Sequence, residues 1–260
     1  MFMSLGTASP KHWGPAEWDH LFTLASHFPH KKHTPEDIPV SATVADQIRK
    51  VWKHHMNSFT QMIPCAACEA HFRSYQRLHP LDRALADRES LMRWLHAAKA
   101  EVRAAQGKKS VKFSSVQRRY VPSRQRLGRK PNDNSAQLYL SPSTGDPQHW
   151  GAVEWNHLFT LASNFPHERT AESDYRIDAL QLAGIRRDWK THLRSVAEIL
   201  PCGICRKEFR KHMDEYPVDL SSRDSLFRWL YNAKAAVRAR QGKRNIKLQT
   251  VMSRYIPKSS

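Results

Sequence analysis

Apolar residues recur along this chain with the period of an α-helix. The first stretch with spacings of three and four residues is Trp18, Leu21, Phe22, Ala25 and Phe28. A longer second stretch has the same periodicity, at Val44, Ile48, Val51, Trp52, Phe59 and Ile63. Positions spaced in this way share one face of a helix. The pattern therefore predicts two amphipathic helices that each bury one apolar stripe.

Three further helices are predicted downstream. One begins at a CxxC motif and places Cys68, Phe72 and Tyr75 on one side. The next is marked by Leu91, Trp94, Leu95, Ala98 and Val102. The segment "SSVQ" at 114–117 has the form of a capping box and predicts a short last helix that ends near Tyr120. No stretch alternates convincingly as a strand does, so the predicted fold class is all-α, with helices packed on helices.

The whole pattern occurs twice. "HWGPAEWDHLFTLASHFPH" at 12–30 returns as "HWGAVEWNHLFTLASNFPH" at 149–167, a shift of 137 residues. The same shift carries Trp52 onto Trp189 and the first CxxC motif onto the second. Such self-similarity indicates a duplicated structural unit. We therefore expect two helical domains in tandem, packed as a pseudo-twofold dimer within one chain.

The predicted domain boundaries follow from composition. The first helical domain is assigned to 1–122 and the second to 148–260, with a basic, Pro/Ser-rich linker at 123–147. Two extra residues between Pro80 and Arg88 in the first copy predict a surface loop there.

The charge of the chain is strongly positive. The 260 residues contain 42 Lys+Arg against 24 Asp+Glu, a formal net charge of +18. Such a surface attracts nucleic acid, acidic proteins or a large assembly that contains them. By default the basic residues of the linker are flexible and solvated, with contact to such a partner as the more specific hypothesis; they are Arg124, Arg126, Arg129 and Lys130. We expect no membrane span and no export signal, and the location in a cell or particle stays open.

All four cysteines lie in two matching motifs, "IPCAACEAHF" at 63–72 and "LPCGICRKEF" at 200–209. A proline just before a helix loses no hydrogen bond, and free amides at the helix start favour a thiolate on the first cysteine. The second cysteine lies on the same face one turn later, so the pair can cycle between dithiol and disulfide. The motifs therefore indicate thiol redox chemistry.

CxxC cysteines also occur in three other settings. A four-thiolate zinc site normally has its two halves about 15 to 20 residues apart, so here it would require the two copies to meet cysteine to cysteine. A thioredoxin-type motif follows a strand, whereas a long amphipathic helix precedes each motif here. Inert buried thiols are the remaining alternative. The lack of further cysteines fits a reducing compartment.

Three motifs follow one another in each copy: "WGPAEWDHLFTLASHFP", "PCAACEAHF" and "DRESLMRWLHAAKAEVRAAQGK" in the first, and "WGAVEWNHLFTLASNFP", "PCGICRKEF" and "SSRDSLFRWLYNAKAAVRARQGK" in the second. In this order and spacing they resemble the Erv/ALR family of FAD-linked sulfhydryl oxidases. The resemblance implies a helical bundle that holds FAD beside the CxxC. It also implies that Cys65 and Cys202 exchange with substrate thiols and that Cys68 and Cys205 face the flavin. Electrons would then pass to oxygen, yielding a protein disulfide and hydrogen peroxide.

The flavin contacts implied by the resemblance are only partly matched. They fall at Trp13, Trp18, Phe22, Trp94, Lys99 and Arg103, and at Trp150, Trp155, Phe159, Trp229, Lys234 and Arg238. Phe22 and Phe159 replace a family histidine, and "KAEVR" and "KAAVR" replace a family His-Asn-x-Val-Asn motif. Lys and Arg can hold a diphosphate, and Phe can stack on adenine. The sequence is therefore compatible with a remodelled FAD site.

Two functions remain open. The first is a flavin-dependent thiol oxidase that meets protein thiols directly or through a separate shuttle protein, because the chain has no additional shuttle cysteines. The second is a basic scaffold built from an oxidase fold that has lost its flavin. No metal site is predicted, since His54, His55 and His192 lack a metal-spaced partner and are interpreted as surface residues or as supporting neighbours.

Overall fold

The computed structural model describes residues 1–126, 137–168 and 174–256. The helices of these ranges are α1 Leu5–Ala8, α2 Pro10–Ser26, α3 Ala42–Gln61, α4 Ala66–Leu78, α5 Leu81–Ala84, α6 Arg88–Ala105, α7 Phe113–Tyr120, α8 Ser123–Arg126, α9 Pro142–Gly145, α10 Pro147–Ala162, α11 Ala179–Ile199, α12 Gly203–Glu215, α13 Arg223–Arg240 and α14 Leu248–Tyr255. The strands are β1 Phe2–Ser4, β2 Ile38–Val40, β3 Leu138–Leu140 and β4 Asp174–Arg176. The predicted all-α class is confirmed.

Each copy has its own apolar core. In the first copy, α2 packs on α6 and α7, and α3 packs on α4. In the second copy, α10 packs on α13, and α11 on α12. The same helix positions supply the cores, because Leu91 and Leu95 of α6 and their counterparts Leu226 and Leu230 of α13 are all fully buried. The helical periodicity therefore predicted most of the buried positions correctly; Val44, near the start of α3, is an exception because it is 41% exposed.

Three local predictions differ from the structure. The capping box at 114–117 is wrong, since the N-cap of α7 is Lys112, two residues before Ser114, and has no side-chain cap. Phe113 is the first residue of α7, and its ring packs under the guanidinium of Arg93, with 4.3 Å between the guanidinium carbon and the ring centre. The predicted loop after Pro80 contains α5 and the buried Leu85. Four three-residue strands occur where none was predicted.

These strands connect the two copies through short antiparallel pairs. β1 pairs antiparallel with β4, and β2 with β3. A shift of 137 carries Phe2 onto Tyr139, so the N-terminal arm of each copy pairs with a strand of the other. The described parts of the predicted linker, 123–126 and 137–147, contain α8, β3 and α9, and the second part matches the arm at the start of the chain. Arg129 and Lys130 lie outside the described residues.

The two copies pack through α2 against α10 and α3 against α11. Their hydrogen bonds are reciprocal. His12 Nε2 lies 3.0 Å from Ser163 Oγ, and His149 Nε2 lies 3.0 Å from Ser26 Oγ. Each of these contacts becomes the other when the copies are exchanged, which is the signature of a pseudo-twofold axis. The predicted pseudo-dimer within one chain is confirmed. Among the described residues, no helix is both long and apolar enough to cross a bilayer.

Eight polar side chains are buried along this axis, and we call them the His–Glu chain. In order of contact they are Glu154, His20, His55, Ser195, Ser58, His192, His157 and Glu17. Successive polar atoms lie 3.2, 3.0, 3.2, 2.7, 3.3, 2.9 and 2.6 Å apart. The sequence of residue types along this chain reads the same from both ends, so exchanging the two copies leaves it unchanged. Both copies therefore contribute to one continuous polar path.

Burial controls the protonation of this chain. It lowers the pKa of His55, His157 and His192 well below the usual value, so these imidazoles are neutral. Burial raises the pKa of Glu17 to about 8. It also opposes ionisation of Glu154, but contact with His20 outweighs it and lowers the pKa of Glu154.

The helix-centre histidines, interpreted from the sequence as surface residues or supporting neighbours, include both kinds: His55 and His192 are fully buried and contact His20 and His157. His54 is exposed and pairs with Glu198 at 3.1 Å. Periodicity within one copy could not show that His55 is buried, because the residue that covers it, Ser195, belongs to the second copy.

Candidate functional site

Each CxxC motif stands at the start of a helix and is present as a disulfide. Cys65 is the N-cap of α4 and is bonded to Cys68, with Cα atoms 5.1 Å apart. Its sulfur also accepts a hydrogen bond from the backbone N–H of Cys68 at 3.2 Å. Cys202 and Cys205 repeat this arrangement at the start of α12. All four cysteines are half-buried, so the sulfurs stand at the edge of the core.

A large cavity opens beside each disulfide. The first cavity, about 920 Å³, is lined by Cys68, and the second, about 740 Å³, by Cys205. The partner cysteines, Cys65 and Cys202, do not line them. Both volumes lie in the range of cofactor and ligand sites. Each disulfide therefore has one sulfur beside the cavity and one turned away from it.

The cavities contain eight of the twelve residues predicted to contact a cofactor. The first is lined by Trp13, Trp18, Lys99 and Arg103, and the second by Trp150, Trp155, Lys234 and Arg238. The other four residues do not line them; they are Phe22, Trp94, Phe159 and Trp229. The same positions are included or left out in both copies, so the two sites are built alike.

The four excluded residues belong to the cores. Phe22 stacks on Tyr120 with ring centres 5.2 Å apart, and Phe159 stacks on Tyr255 at 5.4 Å. Trp94 donates its indole N–H to the carbonyl of His79 at 2.7 Å, and its counterpart Trp229 is held in the same way. These contacts satisfy the rings inside the protein. Sequence reasoning could not distinguish them from cavity residues, because both kinds of position recur at helical spacing.

One lysine in each cavity lies over aromatic rings. Lys99 Nζ lies 5.7 Å from the ring centre of Trp18, and Lys234 Nζ lies 5.9 Å from that of Trp155. Burial lowers the pKa of both ammonium groups. In the described ranges neither lysine forms an ion pair with a carboxylate. A half-buried cation without an acidic partner favours an anionic ligand.

The end of the long helix adds more positive charge. Arg103 Nε donates to the carbonyl of Lys109 at 2.8 Å, which fixes the guanidinium beside the first cavity. Gly107 has φ 67°, and its left-handed conformation lets the chain turn back so that Lys108 also lines the cavity. Lys108 and its counterpart Lys243 end the two segments quoted for the family resemblance, but neither was among the predicted site residues.

Comparison with known proteins agrees with this geometry. The model of the Erv1 / Alr family matches the chain twice, at residues 15–121 and 152–256. A probable FAD-linked sulfhydryl oxidase of Acanthamoeba polyphaga mimivirus is 29% identical over 101 residues, covering 38% of this chain and 62% of that protein. An FAD-linked sulfhydryl oxidase of Saccharomyces cerevisiae is 33% identical over 79 residues, covering 30% of this chain and 34% of that protein. The matches thus cover less than two thirds of these relatives. No solved structure matches the chain significantly.

Proposed function

Because the chain belongs to the Erv1 / Alr family, we propose that it is an FAD-linked thiol oxidase that forms disulfides in partner proteins, with one active site in each copy. One observation carries the proposal. In both copies a CxxC disulfide presents its second sulfur to a cofactor-sized cavity that also contains a half-buried lysine.

The residues that line each cavity fit FAD. An isoalloxazine ring and an adenine need flat apolar contacts, which Trp13 and Trp18 offer in the first copy. The diphosphate needs cations, which Lys99, Arg103 and Lys108 offer. The family histidine replaced by Phe22 is not needed to close the site, because Phe22 is packed in the core behind the cavity. The bound group would supply the capacity to accept an electron pair and pass it to oxygen.

The first half of the reaction needs only the disulfide. A substrate thiolate attacks the sulfur of Cys65, the one turned away from the cavity, and the Cys65–Cys68 bond breaks. Cys68 leaves as a thiolate on the cavity side, where Lys99 supplies positive charge. The free backbone amides at the start of α4 point to the sulfur of Cys65, which accepts from the N–H of Cys68. The second substrate thiol then attacks the mixed disulfide, which releases an oxidised substrate and leaves the Cys65–Cys68 pair reduced by two electrons.

The second half depends on the position of Cys68. Its thiolate lines the cavity, so it is the sulfur from which the electron pair leaves while the Cys65–Cys68 bond forms again. Lys99 adds positive charge on the same side and stabilises negative charge in the cavity. Cys202, Cys205 and Lys234 take the equivalent parts in the second copy.

The test is the visible absorption spectrum of the purified chain, with released flavin quantified, followed by oxygen uptake with a dithiol substrate. We expect two flavins per chain. Cys68→Ser and Cys205→Ser should each remove about half of the activity, and the double variant should remove nearly all of it. The two copies act as matched controls for each other, since each single variant leaves one site intact.

The alternative proposal is the basic scaffold without flavin. It is supported by the net charge of +18 and by the replaced family motif on α6 and α13. A chain that stays colourless after incubation with excess FAD would refute the oxidase and favour this scaffold. Partners would then be nucleic acid, an acidic protein or a large assembly.

A further inference from the structure

The centre of the pseudo-twofold interface contains a repeated motif that the proposed oxidase reaction does not use. It is Glu-x-x-His, present as Glu17 and His20 on α2 and as Glu154 and His157 on α10. Residues three apart share a helix face, so each pair points in one direction. α2 and α10 pack against each other, and the two pairs therefore meet at the axis.

We propose that Glu17, His20, Glu154 and His157 form a binding site for one divalent transition-metal ion, with Zn²⁺ as the ion that best suits the donors. Imidazole nitrogen and carboxylate oxygen are ordinary zinc ligands, and four of them complete a tetrahedral shell. Inward-facing Glu-x-x-His motifs on paired helices are also a known way in which helical bundles hold metal ions.

The distances support convergence of these donors. One ligand atom from each of His20, Glu154 and His157 lies within 4.8 Å of the others. His157 Nδ1 lies 2.6 Å from Glu17 Oε2, and His20 Nδ1 lies 3.2 Å from Glu154 Oε2. Neighbouring ligand atoms around a tetrahedral zinc ion with bonds near 2.0 Å are roughly 3.3 Å apart. The rings of His20 and His157 are stacked, with centres 3.6 Å apart, and must splay so that both lone pairs meet one ion.

Buried carboxylate oxygens without a hydrogen bond are an independent sign of a cation site. Glu17 Oε1 and Glu154 Oε1 are both buried and make no hydrogen bond. In the part of the chain that the structure describes, the ion pairs of both glutamates are made with histidine only, not with Lys or Arg. Ionised carboxylates are costly in such a buried site, and Glu17 keeps its proton there near neutral pH because its pKa is raised to about 8. A divalent ion would neutralise them and occupy the free lone pairs.

The rest of the His–Glu chain supports the ligands. His20 Nε2 lies 3.0 Å from His55 Nε2, and His157 Nε2 lies 2.9 Å from His192 Nε2. Metal-bound imidazoles usually use their second nitrogen in such a contact, which fixes the tautomer and the ring orientation. The ion also has a route, because Glu17 lines the first cavity and Glu154 lines the second.

The experiment uses the untagged full chain with both disulfides intact, so that thiolates cannot bind metal. We expect elemental analysis to find up to one zinc per chain, and Co²⁺ to bind with the visible bands of a tetrahedral ion and without a sulfur-to-cobalt band. Added Zn²⁺ should raise the unfolding temperature. No uptake of either ion by the wild-type chain would overturn the proposal, and this measurement carries no risk of misfolding.

The ligands are tested with Glu17→Gln combined with Glu154→Gln, which keeps the shape of both side chains. We expect binding of Co²⁺ to weaken at least ten-fold. The control is Glu198→Gln, since Glu198 is an exposed carboxylate that also contacts a histidine, His54. Unchanged binding in the double variant, or equal loss in the control, would show that the metal binds elsewhere. Zinc content does not depend on flavin, so this result is separate from the oxidase test.

Discussion

The interface between the copies makes stability depend on one histidine that only the first copy has. His27 Nδ1 lies 3.1 Å from Thr144 Oγ1 across the interface, and Asn164 stands at the equivalent position of the second copy. Burial and, to a smaller extent, the charges of nearby Arg206 and Arg88 together lower the pKa of His27 to about 4. His27→Asn therefore removes the titrating group and inserts the residue that the other copy already uses.

The sign of the effect follows from the lowered pKa. His27 is neutral when folded, while in the unfolded chain it takes up a proton near its ordinary value of 6.5. The contribution of neutral His27 to the free energy of unfolding is fully present above pH 6.5 and is lost as the pH falls towards 4. The shift from 6.5 to about 4 corresponds to about 3 kcal/mol, and partial exposure of the ring reduces this to about 2 to 3 kcal/mol.

The assay is urea unfolding followed by circular dichroism at several pH values. Near neutral pH, His27→Asn should cost about 1 kcal/mol, since one interface hydrogen bond is weakened. Between roughly pH 7 and 4 the variant should lose about 2 to 3 kcal/mol less stability than the wild type, so the two curves cross. His54→Asn is the control at an exposed histidine. Parallel curves for wild type and His27→Asn would refute the assignment of acid sensitivity to this residue.

Two further predictions concern the cavities and the helix end. Replacement of Lys99 and Lys234 by Met should weaken FAD binding about ten-fold or more, because a charge-assisted contact is worth about 1.5 to 3 kcal/mol. Fluorescence titration with FAD measures the affinity. An equal loss of affinity in the control variant, Lys53→Met at an exposed lysine, would contradict the prediction. Gly107→Ala should lower the free energy of unfolding by about 1 kcal/mol, since φ is 67° and no atom crowds the site. The helical Gly14→Ala, also uncrowded, should not destabilise, and a thermal melt in which both variants behave alike would disprove the role of the left-handed turn.

Much of the fold was accessible from the sequence for a simple reason. Helical periodicity reports which face of a helix is buried, and the shift of 137 residues reports that the unit is built twice. The pairing of each N-terminal strand with the other copy was not predicted from the sequence, although "FMS" at 2–4 does resemble "YLS" at 139–141. Three-residue strands are too short to show alternation, and their pairing partners lie far away along the chain.

The candidate site was predicted in part. The cysteines and the cavity lysines stand out because their residue types are chemically specific and occur in both copies. Phe22 and Trp94 could not be distinguished by sequence from the aromatic residues that line the cavity, because an aromatic ring at helical spacing is equally suitable for a core and for a cofactor pocket. Glu17 and His20 were overlooked because charged and polar residues on a helix are normally expected at the surface.

The amino-acid sequence by itself determined the family, the all-α class, the duplication and the two CxxC motifs, because all of these depend only on residue types and their local spacing. Only the tertiary structure decided which cysteine of each pair faces a cavity, how the arms cross between copies and that eight polar side chains meet at the axis. Glu17 contacts His157, 140 residues away. Such contacts depend on how two buried faces pack together, and periodicity states that a face is buried without stating what covers it.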